Sequence, residues 1–168
     1  MPVKTRRDNS QILKDWLKGA HRIVLAGIGN PIRMDDFVGV KIVQDLKGKV
    51  SERTLLIECE TVPENFMQQI VDFDPTHVLL LDAAILGLKP GGWKLVEPGK
   101  LSNLPAYSTH TLPLKIFCDY VSEATKARIA LLLIQPKAAD FGEGLSREVT
   151  AASKRIAKIL LEACSKTH

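Results

Sequence analysis

The run His77-Val78-Leu79-Leu80-Leu81 constrains the fold of this chain more than any other stretch. It is continuously apolar after the histidine and stops at Asp82, so a strand here has no polar face and has to be covered on both sides, as a central strand of a parallel sheet is. Ala130-Leu131-Leu132-Leu133-Ile134 is a second run of this kind. His21-Arg22-Ile23-Val24-Leu25-Ala26 and Thr54-Leu55-Leu56-Ile57-Glu58-Cys59-Glu60 are further β-type runs, and Trp93-Lys94-Leu95-Val96 alternates as an edge strand does. Helical spacing fills the intervals. Ile12, Leu13, Trp16 and Leu17 mark a leading helix over Asp8 to Lys18; Val38, Ile42, Val43 and Leu46 mark one from about Asp36, closed by Lys47-Gly48-Lys49 as a glycine cap. Pro63 opens a helical stretch from Glu64 to Val71. Leu114, Phe117, Cys118 and Val121 share a face of another helix, with Thr111 as its N-cap and Pro113 in its first turn, and Val149, Ala152, Ile156, Ile159, Leu160 and Ala163 share a face of the last. The order βαβαββαβα after a leading helix predicts an α/β fold: a single-domain, twisted, mainly parallel, roughly five-stranded sheet with helices on both faces, residues 1–20 carrying the leading helix packed on the sheet.

Composition narrows the function. With 168 residues and 45% hydrophobic content, one compact domain with a sizeable core is expected. The net charge of +4 is spread along the chain and only 5% of residues are aromatic, so neither a basic stripe nor stacking platforms for nucleic acid are present. Met1 to Arg7 leads into polar residues, and no apolar run approaches the roughly 20 residues that span a bilayer, so a cytoplasmic protein without membrane insertion is expected. Cys59, Cys118 and Cys164 are widely spaced with no CxxC pair and read as buried free thiols.

The chemistry concentrates at Ala26-Gly27-Ile28-Gly29-Asn30-Pro31-Ile32-Arg33-Met34-Asp35-Asp36, where a strand feeds a helix through a glycine turn. In open α/β sheets that junction lies at the carboxyl edge, where ligands bind. A dinucleotide fingerprint would place its third glycine at Ile32, and Pro31 removes an N–H that a pyrophosphate would want; no Gly-Lys-Ser/Thr follows for a P-loop. A different site is available from Asp36, Asp82 and His110, each at a loop or strand end on the same expected edge. Two carboxylates and an imidazole can hold a divalent ion such as nickel or zinc with positions left open for hydrolysis, or two close carboxylates can share acid/base work without a metal. Structural readings stand beside these. Asp35 is taken for the helix N-cap, Asp36 serves the same end equally well, Asp82 can close its strand through an Asx-turn, and Glu58 and Glu60 can be solvated acids at a strand end. His21, His77 and His168 read as structural.

Taken together the motifs resemble those of the hydrogenase maturation proteases. Gly27-Ile28-Gly29-Asn30 through Asp35-Asp36 is similar to that family's G-x-G-N-x4-D-[DE] segment, Leu81-Asp82-Ala83 to its strand ending in Asp-Ala, and Ser108-Thr109-His110-Thr111 to its histidine between a Ser/Thr-rich loop and a helix. Pro63-Glu64-Asn65, Ile134-Gln135-Pro136 and Gly144-Leu145-Ser146 complete the match. Phe37 stands where the family often has glycine, and Glu58-Cys59-Glu60 where it usually has an Asp-Gly-Gly-like turn. The resemblance implies one peptidase domain over 1–168. It implies an endopeptidase that removes the C-terminal extension of a nickel-iron hydrogenase large-subunit precursor after nickel insertion. Asp36, Asp82 and His110 are then the catalytic and metal-ligating residues, and Asn30, Glu58 and Thr61 substrate contacts. The nickel comes with the substrate, no organic cofactor is expected, and a monomer is favoured. The alternative is a non-catalytic checkpoint that binds the nickel-loaded precursor and leaves the cut to another protein.

Overall fold

The computed structural model describes residues 8–104 and 111–165. One five-stranded sheet runs through it, built from β1 (Ile23–Ile28), β2 (Thr54–Glu60), β3 (His77–Ala83), β4 (Trp93–Val96) and β5 (Arg128–Ile134) in the order β2-β1-β3-β5-β4. All pairings are parallel except that of β4 with β5, which makes the edge strand antiparallel. The helices are α1 (Asn9–Leu17), α2 (Val38–Leu46), α3 (Met67–Phe73), α4 (Thr111–Ala124) and α5 (Arg147–Cys164), with 3-10 turns over Met34–Phe37, Pro63–Phe66 and Pro98–Asn103. The 3-10 turn over Pro98–Asn103 follows β4 directly, and its Leu101 is buried.

Every residue of β3 is buried, as its unbroken apolar run requires. Side chains alternate between two cores, one on each side of the sheet. Leu25, Leu79, Leu81 and Leu132 face α1, α2 and α5, while Val24, Leu80, Leu131 and Leu133 face α3 and α4. The last helix departs from its expected stripe at one place: Ala163 is exposed and Cys164 takes the inward position. Cys59, Cys118 and Cys164 are free and buried, and desolvation pushes the Cys59 and Cys118 thiols up to about 12. Among the described residues no helix is long and apolar enough to cross a membrane.

His77 opens β3 at the amino edge of the sheet. It is buried, with its ring edge-on to Trp16 at 5.0 Å and its Nδ1 3.0 Å from Thr76 Oγ1. Burial, and then the charge of Arg128, lower its pKa below the ordinary 6.5. The unfolded chain therefore binds this proton more readily than the native one, so the His77 contribution to stability is complete above pH 6.5 and is lost as pH falls through the folded value. Melting temperature is expected to decline as pH drops below 6.5, and His77→Gln to flatten that part of the curve; a wild-type curve already flat there would refute it.

Candidate active site

The turn after β1 takes its shape from close backbone packing. A Cβ at Gly39 would lie 2.6 Å from the Ile28 carbonyl oxygen and closer still to that of Leu81, so α2 can sit directly on the carboxyl ends of β1 and β3 only because this residue has no side chain. Gly29, at φ +151°, meets the Asp36 carbonyl in the same way, and its N–H donates to the Glu60 carbonyl at 2.7 Å. The pairing of β1 with β2 slips by one residue between Gly27 and Ile28, which turns the chain out of the sheet. Asn30 then folds the loop: its Oδ1 accepts the Ile32 N–H at 3.1 Å and its carbonyl accepts the Arg33 N–H at 3.1 Å. The two aspartates follow within the 3-10 turn.

Their roles diverge. Asp35 is fully buried, and it does not cap its own helix as the sequence suggests. Its Oδ2 accepts the Lys137 and Ala138 N–H groups at 2.9 and 3.0 Å and the Ser146 hydroxyl at 2.8 Å, while Oδ1 accepts the Ser146 N–H at 2.7 Å. One carboxylate thereby ties the first β-to-α turn to the segment after β5 and to the N-cap residue of α5. These bonds give Ser146 of Gly144-Leu145-Ser146 a physical job. Asp36 is half-buried and accepts the Asn30 N–H at 3.0 Å through Oδ2. It lines a cleft of about 170 Å³ with Arg33, Ala83, Ala84, Ile85, Pro136 and Ala139. A larger groove of about 490 Å³ between α1 and β4 takes in Arg128, the first residue of β5, and so lies toward the other edge of the sheet.

Asp82 is fully buried near the end of β3, next to the Ala83 that lines the cleft, and its Oδ1 accepts the Ala83 N–H at 2.8 Å. Asp36 and the Asp82 strand end therefore share one rim, the carboxyl edge of the adjacent strands β1 and β3. His110 lies outside the described residues, one position ahead of α4. Among the described residues no three His, Cys, Asp or Glu side chains group closely enough to hold a metal ion. Asn30 holds the turn and sits half-buried beside Asp36, and Thr61 is exposed just past β2. Glu58 is occupied within the fold. It pairs with Lys47 and accepts a 2.7 Å bond from Gln44, both from the end of α2, and these partners hold its carboxyl below the ordinary value of 4.5. Two contributors were given no role from the sequence. Arg33 lines the cleft and donates through Nε to the Ala139 carbonyl at 3.2 Å. Gln135 accepts the Leu86 N–H at 2.6 Å and so ties the segment after β3 to the end of β5; the Ile134-Gln135-Pro136 motif marked the place but not this task.

A parallel sheet with this acid turn at its carboxyl edge has well-defined relatives. The family model described as hydrogenase maturation protease matches residues 40–163. A Methanocaldococcus jannaschii protein provisionally named a hydrogenase maturation protease is 34% identical over 160 residues, covering 90% of this chain and 94% of that one. The hydrogenase 3 maturation protease of Escherichia coli is 26% identical over 133 residues, 79% of this chain and 85% of its own. The crystal structure of the NiFe hydrogenase maturation protease HycI from Thermococcus kodakarensis superposes with a TM-score of 0.82 at 34% identity, covering 90% of this chain and 97% of that one. The chain belongs to the hydrogenase maturation protease family. It is a peptidase, a hydrolase with a role in hydrogenase maturation.

Proposed function

We propose that this peptidase removes the C-terminal extension of a nickel-iron hydrogenase large-subunit precursor once nickel has been inserted, and that the substrate's own nickel is what it recognises. The observation that carries the reading is the division of labour between neighbouring acids: Asp35 is consumed by four hydrogen bonds, whereas Asp36 lines the cleft with one backbone N–H on it, at the rim where β3 ends just past Asp82. His110 is the third member of the proposed set. Helix α4 delivers its far end to the start of β5 and so opens toward the carboxyl edge, and His110 immediately precedes it in sequence.

In this reading Asp36, Asp82 and His110 offer oxygen and nitrogen donors to an ion already held by the precursor, too few to retain it alone. Hydrolysis adds water across the scissile amide: the C–O bond forms, the C–N bond breaks, and the leaving nitrogen takes up a proton. A carboxylate beside the cleft can accept the water's proton, and the ion can polarise the carbonyl. Asn30 and Thr61 border the path of the peptide, and Glu58 supports that border from β2.

Purified chain is to be mixed with nickel-loaded and with nickel-free precursor and the release of the C-terminal peptide followed by mass spectrometry. Release from the loaded form alone is the expected result. Equal cleavage of both forms would defeat nickel recognition, and binding of the loaded precursor without shortening would make the chain a checkpoint.

A further inference from the structure

Phe141 is 86% exposed, more than any other large apolar side chain among the described residues. It stands on a segment fastened at both ends. The Asp35 N–H donates to the Ala138 carbonyl at 3.0 Å, Met34 N–H to that of Gly142 at 3.1 Å, and Gly142 N–H to that of Ile32 at 2.9 Å. With the Arg33 bond to Ala139 and the Asp35 carboxylate on Lys137 and Ala138, these lash residues 137–142 to the acid turn. The ring is thus held out into water by an ordered backbone. Two more exposed apolar groups lie nearby: Ile85 lines the cleft and Ile32 is bonded to Gly142. Asp140 precedes Phe141 and Glu143 follows it by two positions, both are exposed, and the ion pairs among the described residues involve neither.

We propose that Phe141, with Ile32 and Ile85 toward the cleft and Asp140 and Glu143 on either side of it in sequence, is the knob by which the chain docks on its precursor, inserting into an apolar socket ringed by lysine or arginine. This rests on the peptidase reading above. The occupant follows from continuity and charge. The cleft at Asp36 has room for a few side-chain groups only, so a protein substrate has to find most of its affinity on the surface around it, and residues 137–142 form one side of that surface. A preordered aromatic costs little entropy to bury and is the side-chain type on which binding energy concentrates. Flanking acids favour a basic surround and oppose an acidic one.

The test measures binding of nickel-loaded precursor in the cold, over times too short for cleavage, with Asp36 kept in place because it belongs to the proposed recognition set. Phe141→Ser is expected to weaken binding at least tenfold, corresponding to about 1.4 kcal/mol. Asp140→Lys with Glu143→Lys is expected to weaken it at low salt, with a loss that shrinks as salt is raised. Tyr120→Ser, 45% exposed in the half of α4 that runs toward the start of β5, is the reference and is expected to stay within about twofold. All these positions are exposed, and unchanged melting curves would confirm intact folds. Unaltered binding by Phe141→Ser overturns the proposal, as does an equal loss with Tyr120→Ser. A dimer of the free protein that Phe141→Ser dissolves would assign the knob to a second copy and also overturn it. If the unsubstituted chain leaves the precursor uncut on warming while Phe141→Ser still loses binding, the peptidase reading falls and the docking surface stands.

Discussion

Asp36→Ala is expected to lower cleavage of the precursor by about a thousandfold, within the range that positioned acid/base groups supply, and to cost little stability. The side chain accepts one hydrogen bond, from Asn30, so its loss is worth about 1 kcal/mol and a few degrees of melting temperature. The same change one residue earlier is expected to do the reverse to stability. Asp35→Ala takes the acceptor from the part-buried N–H groups of Lys137, Ala138 and Ser146 and from a hydroxyl and leaves a cavity where a fully buried side chain stood, a loss of about 3 kcal/mol. Cleavage assays and thermal melts on both variants separate the two roles. Asp36→Ala retaining more than a tenth of wild-type activity would remove Asp36 from the proposed chemistry.

Gly39→Ala should be among the most damaging single-methyl additions in the chain. The new Cβ runs into the backbone carbonyls of Leu81 and Ile28, neither of which can rotate aside, so α2 has to lift off the sheet and carry the acid turn with it. A loss of about 3 kcal/mol in urea titration is expected, with cleavage reduced even where the protein remains folded. Gly99→Ala provides the contrast, because a Cβ there meets nothing within 4 Å and Gly99 is not among the glycines with positive φ. That variant should be neutral or slightly stabilising, since it removes freedom from the unfolded chain. Equal stability of the two variants would show that the contact at Gly39 is not tight.

The sheet was legible because its three central strands are almost wholly buried: continuous apolar runs at 77–81 and 130–134 leave no alternative to covered parallel strands, and the alternating Trp93–Val96 run becomes the antiparallel edge. The acid turn was legible as a place, since Gly27, Gly29 and the aspartate pair mark a strand-to-helix junction. What each acid does was not. The partners of Asp35 lie 102 to 111 residues away, and no local pattern distinguishes such a clamp from an N-cap. Glu58 pairing with Lys47 is hidden for the same reason: it depends on how α2 lies across β2. Phe141 in a glycine-containing loop could be core or surface, and only the bonds from Ile32 and Met34 to Gly142 determine that it faces water. His110 lies beyond the described residues, so its place in the set rests on the resemblance and the direction of α4.

The clamp made by Asp35 also bears on synthesis. A nascent polypeptide carries both carboxylates from early on, but the groups that order the first of them arrive only when residue 146 has left the ribosome. Until then the turn lacks its permanent anchor, and the neighbouring acid has no fixed address. The clamp thus closes only after β5 and the N-cap residue of the last helix have both emerged.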